Sequence, residues 1–410
     1  MSNQYERFFA MTVRARYCAL ALSVAGVLFS ADWPCWRGPE HNGISTETIA
    51  EVPWRDDGPT VLWRVTVGRG FSSCAVAAGR VYTIGNRDEK DTVFCFDALT
   101  GTKVWEYSYP CGLHPLSYEG GPGSTPAVDE GRVYTLSKFG HAFCFDAATG
   151  AVRWARQFDN PGTNEGDYGA WWGFAGSPLV TGDRVIYPVG TAGVAVDTRN
   201  GAILWNNGNG RPGYSSPVPL QIAAVPCFAF VSGHEVVAAR QDSGAVLWKI
   251  PWRTTWDQNA ADVIADTGML FVSSGHSKGA ALFDVSGAVP AERWRNKKMC
   301  NELGSSVLWN GYLYGFDYKR LSCVNWKTGD VMWSTNLNRL GTLLISDGKI
   351  VALTEDGTLS VVTATELSYQ PLAAAKVLSG RCWSAPAFSG GLVYVRNAAG
   401  ELVCADMRGK

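Results

Sequence analysis

The side chains that could do chemistry are few, and their spacing is loose. Asp257, Asn259, Asn301 and Glu302 carry the oxygens a hard cation would need, and such an ion takes six or more convergent oxygen ligands. They form no recognisable cation loop. Only five histidines occur in 410 residues, none in an i, i+4 pair, so the spacing of a zinc site is missing. Spacing alone leaves Ser-His-Asp chemistry open, but the prominent serines recur periodically and so have a structural explanation. Neither Cys-Cys nor Cys-x-x-Cys-His occurs.

More suggestive are aromatic and charged residues in three long stretches that break the regular pattern, 107–123, 160–174 and 252–259. Together with neighbouring loops they supply Tyr118, Glu119, Trp171, Trp172, Arg211, Tyr214, Trp256, Asp257, Glu302, Arg381 and Trp383. If one end of the fold gathers these loops, the residues form a rim suited to ligand or peptide recognition. The alternative is that Trp171 and Trp172 only pack between structural units.

The elements that position this rim are repeats. Asp97-Ala98-Leu99-Thr100-Gly101 is followed by Trp105, Asp146–Gly150 by Trp154, Asp197–Gly201 by Trp205, Gln241–Gly244 by Trp248, and Lys327–Gly329 by Trp333, with the Trp four residues after each Gly. Asp accepts backbone N–H groups in a tight turn, Gly takes the positive φ, and the Trp of the next strand fills the gap to the neighbouring unit. With Trp63 and Trp294 included, the tryptophans stand 39–51 residues apart, the length of a four-stranded propeller blade.

The predicted fold is all-β, an eight-bladed propeller of four-stranded antiparallel blades over residues 61–410. Val61–Val65 is a lone outer strand, and the chain ends after three strands, 384–388, 392–396 and 401–406, that lack one. Pairing the two closes the ring and hides its edges. The seventh blade is expected at 341–373, without the Gly and Trp of the repeat. Inner strands are expected to begin at small polar residues, Ser72-Ser73, Ser124-Thr125, Gly176-Ser177, Ser215-Ser216, Ser305-Ser306 and Ser384-Ala385, since a central channel is crowded.

Outside the repeats, Arg7, Arg14 and Arg16 precede an apolar run from Tyr17 to Phe29, shorter than the ~20 residues that span a bilayer. Residues 1–31 therefore fit a secretory signal, with Met11 as a possible start. An uncleaved anchor is the alternative. Cys18 precedes the apolar core, which argues against a lipid anchor. Residues 32–60, rich in Pro and Gly, are expected to form an irregular extension packed on the propeller. Cys95, Cys144, Cys323 and Cys404 share one repeat slot and act as small buried hydrophobes, while the remaining cysteines leave pairing open. The formal charge of −1 removes the electrostatic footprint of a nucleic-acid binder.

The Asp-Ala-x-Thr-Gly-x-x-x-Trp repeat resembles that of the pyrroloquinoline-quinone (PQQ)-repeat β-propellers over residues 61–410, a family that includes quinoprotein alcohol dehydrogenases and the outer-membrane assembly lipoprotein BamB. Trp33–Pro39, Trp-Pro-Cys-Trp-Arg-Gly-Pro, is similar to the leading segment of exported BamB-like members. The resemblance implies two functions. One is a non-catalytic, exported scaffold, monomeric and periplasmic, with secretion or a retained anchor as alternatives; it binds a protein or envelope component at the channel mouth and carries no cofactor. The other is a dehydrogenase holding PQQ with calcium by atypical ligation, resting on Asp257 and Glu302. A carbohydrate-binding rim is a third possibility.

Overall fold

The computed structural model describes residues 31–50, 54, 57–159 and 171–409. Eight blades of four antiparallel strands follow one another round a central channel, as the repeat predicts, and one of them gains a short fifth strand in parallel on its inner edge. Blade 1 comprises strands 75–77, 80–87, 90–97 and 103–110, and blades 2 to 6 repeat this inner-to-outer order through 127–157, 179–206, 218–251, 264–296 and 307–336. Blade 7 spans 341–376. Blade 8 is 387–389, 392–396 and 401–406, completed by Val61–Thr66, which pairs antiparallel with Glu401–Asp406 from Val61↔Ala405 to Thr66↔Glu401. The ring closes by pairing the first strand of the propeller with its last.

The repeat turns form as their residues dictate. Asp97 Oδ1 accepts the N–H groups of Leu99 and Thr100 at 3.1 and 3.0 Å, and Asp146 and Asn325 do the same in their turns. Gly101 and Gly150 sit at φ 69° and 74°, where a Cβ would lie 2.7 Å from the ring of Trp63 and of Trp105 respectively. Each outer strand bulges at the residue before its Trp, for example between Val61 and Trp63 and between Val152 and Trp154. The bulge re-aims the indole across to the next blade, where its Nε1 donates to a turn carbonyl. Trp63 reaches Ala98 at 3.0 Å, Trp105 reaches Ala147 at 2.9 Å and Trp154 reaches Thr198 at 3.0 Å. In blade 7 the bulge is kept, between Val361 and Val362 on the partner strand, but Ala373 takes the Trp position. Buried Trp54, from the N-terminal extension, joins the apolar cluster that Leu372 and Ala373 pack against.

One expectation changes. The small polar residues lie ahead of the inner strands, which begin at Ala75, Ala127, Leu179, Val218, Val307 and Ala387. Their hydroxyls do more than save space, because they link blade to blade. The N–H of Ser73 donates to Thr125 Oγ1, that of Thr125 to Ser177 Oγ, that of Ser177 to Ser216 Oγ, that of Ser216 to Asp262 Oδ1 and that of Asp262 to Ser305 Oγ, all at 2.7–3.0 Å. The ten cysteines among the described residues are buried and unpaired.

The N-terminal extension runs along the channel. Asp32 accepts the N–H of Ala78 in a turn of blade 1, Trp33 exchanges backbone hydrogen bonds with Val76, and Pro34 accepts from Val128 of blade 2. Trp36 and Arg37 then reach the mouth, bonding Asp262 of blade 5 and Ser306 of blade 6. The chain returns as Ile44–Ser45, parallel to the inner strand of blade 7, and Glu47 ends on the N–H groups of Gly390 and Gly391. Residues 32–47 are therefore a hairpin-shaped plug with Trp36-Arg37 at its tip. The signal-like segment 1–31 lies outside the described residues except for Ala31.

Candidate functional site at the channel mouth

At the end of the channel where the long inter-blade loops gather lies a cavity of about 320 Å³. Its wall is aromatic. Trp383 stacks on Phe71 at 5.5 Å between ring centres, Phe71 meets Tyr118 edge-on at 5.3 Å, Tyr118 lies 6.3 Å from Trp172, and Trp172 meets Tyr214 edge-on at 5.6 Å. Each ring comes from a different inter-blade connection, so the arc exists only because the blades form a closed ring. Trp36, on the tip of the plug, also lines the cavity, as do Phe174, Ser117, Ser177, Ser216, Gln258 and Asp262.

Asp262 stands where blades 2 to 4 put Ser or Thr in the linked ring, and its second oxygen explains the difference. Oδ2 accepts the indole N–H of Trp36 at 2.6 Å and faces the Arg37 guanidinium at 3.8 Å. Burial pushes the Asp262 carboxyl above the usual range, while Arg37 and the hydrogen bonds from Ser216, Trp36 and Ser305 pull the other way. Arg37 is itself buried and donates Nη2 to the carbonyls of Asn42 and Ser306 at 2.9 and 2.7 Å. The plug tip is thus locked by one desolvated ion pair and a hydrogen-bond set that satisfies both partners.

Around the cavity, two ion pairs hold the rim. Arg381 Nη1 lies 2.7 Å from Glu119, with its guanidinium 4.4 Å from the centre of the Trp383 ring. Arg211 Nη1 lies 2.7 Å from Asp257, which also bonds His234 at 2.9 Å. Of the rim residues named from sequence, Tyr118, Trp172, Tyr214 and Trp383 line the cavity, and Glu119, Arg381, Arg211 and Asp257 form its paired margin. Three do not join the wall. Trp256, at φ 68°, turns outward and is 64% exposed, and Trp171 is 44% exposed, stacked on Trp172 at 6.4 Å. Glu302 lines a separate depression between Asp317, Lys319 and Arg320.

The calcium-type donor set named from sequence does not fit a hard cation here. Asn259 donates to the carbonyls of Ser232 and Gly233, and its Oδ1 accepts from Ser274. Asn301 donates to Phe316 O and accepts from Ser306 Oγ. Both amides hold loops, Asp257 is paired with Arg211, and Glu302 points elsewhere, so the four never converge. Among the described residues no group of three or more His, Cys, Asp or Glu gathers as a metal site would require.

Sequence reasoning missed Trp36, Phe71 and Asp262, while Phe174 belongs to the stretch 160–174 that it placed at the mouth. For Asp262 there was a signal: blades 5 and 7 are the two without a named small-polar pair, and blade 5 has a carboxylate in its place. Trp36 offered only its place in an irregular segment, because its partner is 226 positions away.

A family model described as outer membrane protein assembly factor BamB matches residues 89–334 and 291–410. Outer membrane protein assembly factor BamB of Yersinia pestis is 22% identical over 352 residues, covering 78% of this chain and 75% of that protein. In three dimensions the chain is similar to BamB from Moraxella catarrhalis, with TM-score 0.62 and 15% identity over 85% of this chain and 100% of that one. It is equally similar to the quinohemoprotein alcohol dehydrogenase from Comamonas testosteroni, with TM-score 0.62 and 14% identity over 93% and 81%. At such identities the structural likeness establishes the fold and not the activity. The sequence match is what assigns membership: it runs from residue 89 to the C-terminus, and the chain belongs to the PQQ-repeat β-propeller family of outer membrane protein assembly factor BamB.

Proposed function

We propose that this chain is an exported, non-catalytic scaffold of the cell envelope that holds a partner or ligand at the channel mouth. The observation that carries this reading is the mouth itself. It offers an aromatic recognition surface, while the oxygens available for a cofactor-bound cation are committed to loop structure. A catalytic centre leaves polar groups poised toward the reacting atoms, whereas a recognition pocket needs shape and apolar area. Family membership supports the same reading, since the matching model is described as an assembly factor.

The test is titration of the purified protein with PQQ, with and without calcium, followed by cofactor fluorescence, together with dye reduction in the presence of alcohols and sugars. The scaffold reading expects neither binding nor reduction; PQQ-dependent turnover would overturn it. A photo-crosslinking amino acid in place of Trp171, at the outer margin of the aromatic arc, is expected to capture an outer-membrane or assembly protein in intact cells. Crosslinks confined to cytoplasmic proteins would sink the envelope assignment.

A further inference from the structure

We infer that the mouth cavity is an aromatic cage for a quaternary ammonium group, of the kind carried by choline and betaine. This rests on the reading of the mouth as a binding site and specifies what it binds. The rings of Trp383, Phe71, Tyr118, Trp172 and Tyr214 form a continuous arc, and Trp36 adds a sixth ring to the lining. Faces of Trp, Tyr and Phe attract cations through their quadrupole, most strongly where water is excluded. Trp383 already does so, with the Arg381 guanidinium 4.4 Å from its ring centre.

Charge selects the same class. Among the described residues the cavity lining contains no Lys, Arg or His and one carboxylate, Asp262. The nearby arginines are neutralised where they stand, Arg381 by Glu119 and Arg211 by Asp257. A polycarboxylate would therefore meet one acid and no free cation. Hydrogen bonding narrows the choice further. Ser177 and Ser216 Oγ accept the backbone N–H groups of Thr125 and Ser177 at 2.9 Å, and both Asp262 oxygens have donors. A sugar would compete for the groups used in these bonds, whereas a tetraalkylated nitrogen has no N–H to satisfy and needs none of them. A volume of about 320 Å³ lies at the small end of ligand pockets, ~300–1,000 Å³, and suits one head group.

The experiment follows tryptophan fluorescence of the full chain titrated with tetramethylammonium, with choline and with its uncharged isostere 3,3-dimethylbutanol, at constant ionic strength. Saturable quenching is expected, with choline bound about tenfold tighter than the isostere. Trp172→Phe and Trp383→Phe, which keep an aromatic ring and the fold, should each weaken choline several-fold. No saturable response, or equal response to the isostere, overturns the cage. Phosphatidylcholine vesicles against phosphatidylglycerol vesicles identify the source: retention on the former alone points to a lipid head group, and binding of free choline without retention points to a soluble ligand. Failure of choline with PQQ also silent removes the cage and leaves the scaffold, whereas PQQ-dependent turnover removes the scaffold whatever choline does.

Discussion

At the perimeter of the ring one interaction is repeated, whereas the plug that runs along its axis makes each of its contacts once. Six of the seven repeat tryptophans donate Nε1 to a carbonyl of the next blade, and in five of these six the indole covers a turn glycine. In the channel, Trp33, Trp36, Arg37 and Glu47 each meet a different blade by a different bond. Redundancy at the perimeter spreads the cost of any one defect over eight interfaces. The axis has no such reserve, since the plug tip both ties blade 5 to blade 6 and lines the cavity.

The largest expected effect is accordingly axial. Arg37→Ala leaves the Asp262 carboxylate buried beside no cation and two carbonyls without a donor, and should cost about 3–5 kcal/mol in urea unfolding. Pairing Arg37→Met with Asp262→Ser, the residue type of the neighbouring blades, should recover much of that loss. A double variant no better than Arg37→Ala alone would show that the plug is held by something other than this pair.

At the perimeter, the turn glycines separate a working wedge from an idle one. Gly150 lies at φ 74°, and an added Cβ would stand 2.7 Å from the Trp105 ring, so Gly150→Ala should destabilise by about 2 kcal/mol. Gly287, in the longer turn of blade 5, has ordinary φ and nothing nearer than 3.9 Å. Gly287→Ala should stay within about 0.5 kcal/mol of the parent, and equal losses at the two sites would dissolve the distinction.

The contrast also explains what the sequence could reveal. Perimeter contacts are periodic, so Asp, Gly and Trp at fixed spacing disclosed the blades, and the orphan strand Val61–Val65 disclosed the ring closure. Plug contacts are non-local and unrepeated, so Trp33–Pro39 showed only that it was neither helix nor strand. The mouth was legible in part, because loops that interrupt a period stand out. Which of their side chains face inward depends on local backbone: a left-handed φ at Trp256 turns that ring to solvent, and no spacing rule anticipates it.

Lower pH offers a gentler way to loosen the plug. Burial, with Arg37 nearby, lowers the His41 pKa to about 4. A depressed folded-state pKa means that the neutral ring is favoured in the plug, so its contribution is complete above the unfolded value near 6.5 and is lost as pH falls toward 4. Because the ring keeps some solvent access, the loss should be on the order of 1–2 kcal/mol. His41→Gln should flatten the pH dependence of the unfolding midpoint between pH 7 and 4.5, and an unchanged slope would place the titration elsewhere.

The smallest effect tests whether the perimeter is as uniform as its sequence. Trp248 has the repeat spacing, but its buried Nε1 has no hydrogen-bond partner among the described residues. The reason lies in the next blade, where the turn after Asp284 is lengthened, placing Gly287 seven residues before Trp294 and leaving the indole without its usual turn contact. Trp154→Phe removes a 3.0 Å bond to Thr198 O as well as apolar surface, whereas Trp248→Phe removes surface alone. Thermal unfolding of the two variants should therefore differ by about 1 kcal/mol, with Trp154→Phe the less stable. If Trp248→Phe is equally damaging, its Nε1 is satisfied in solution, and all seven tryptophans are wedges of one kind.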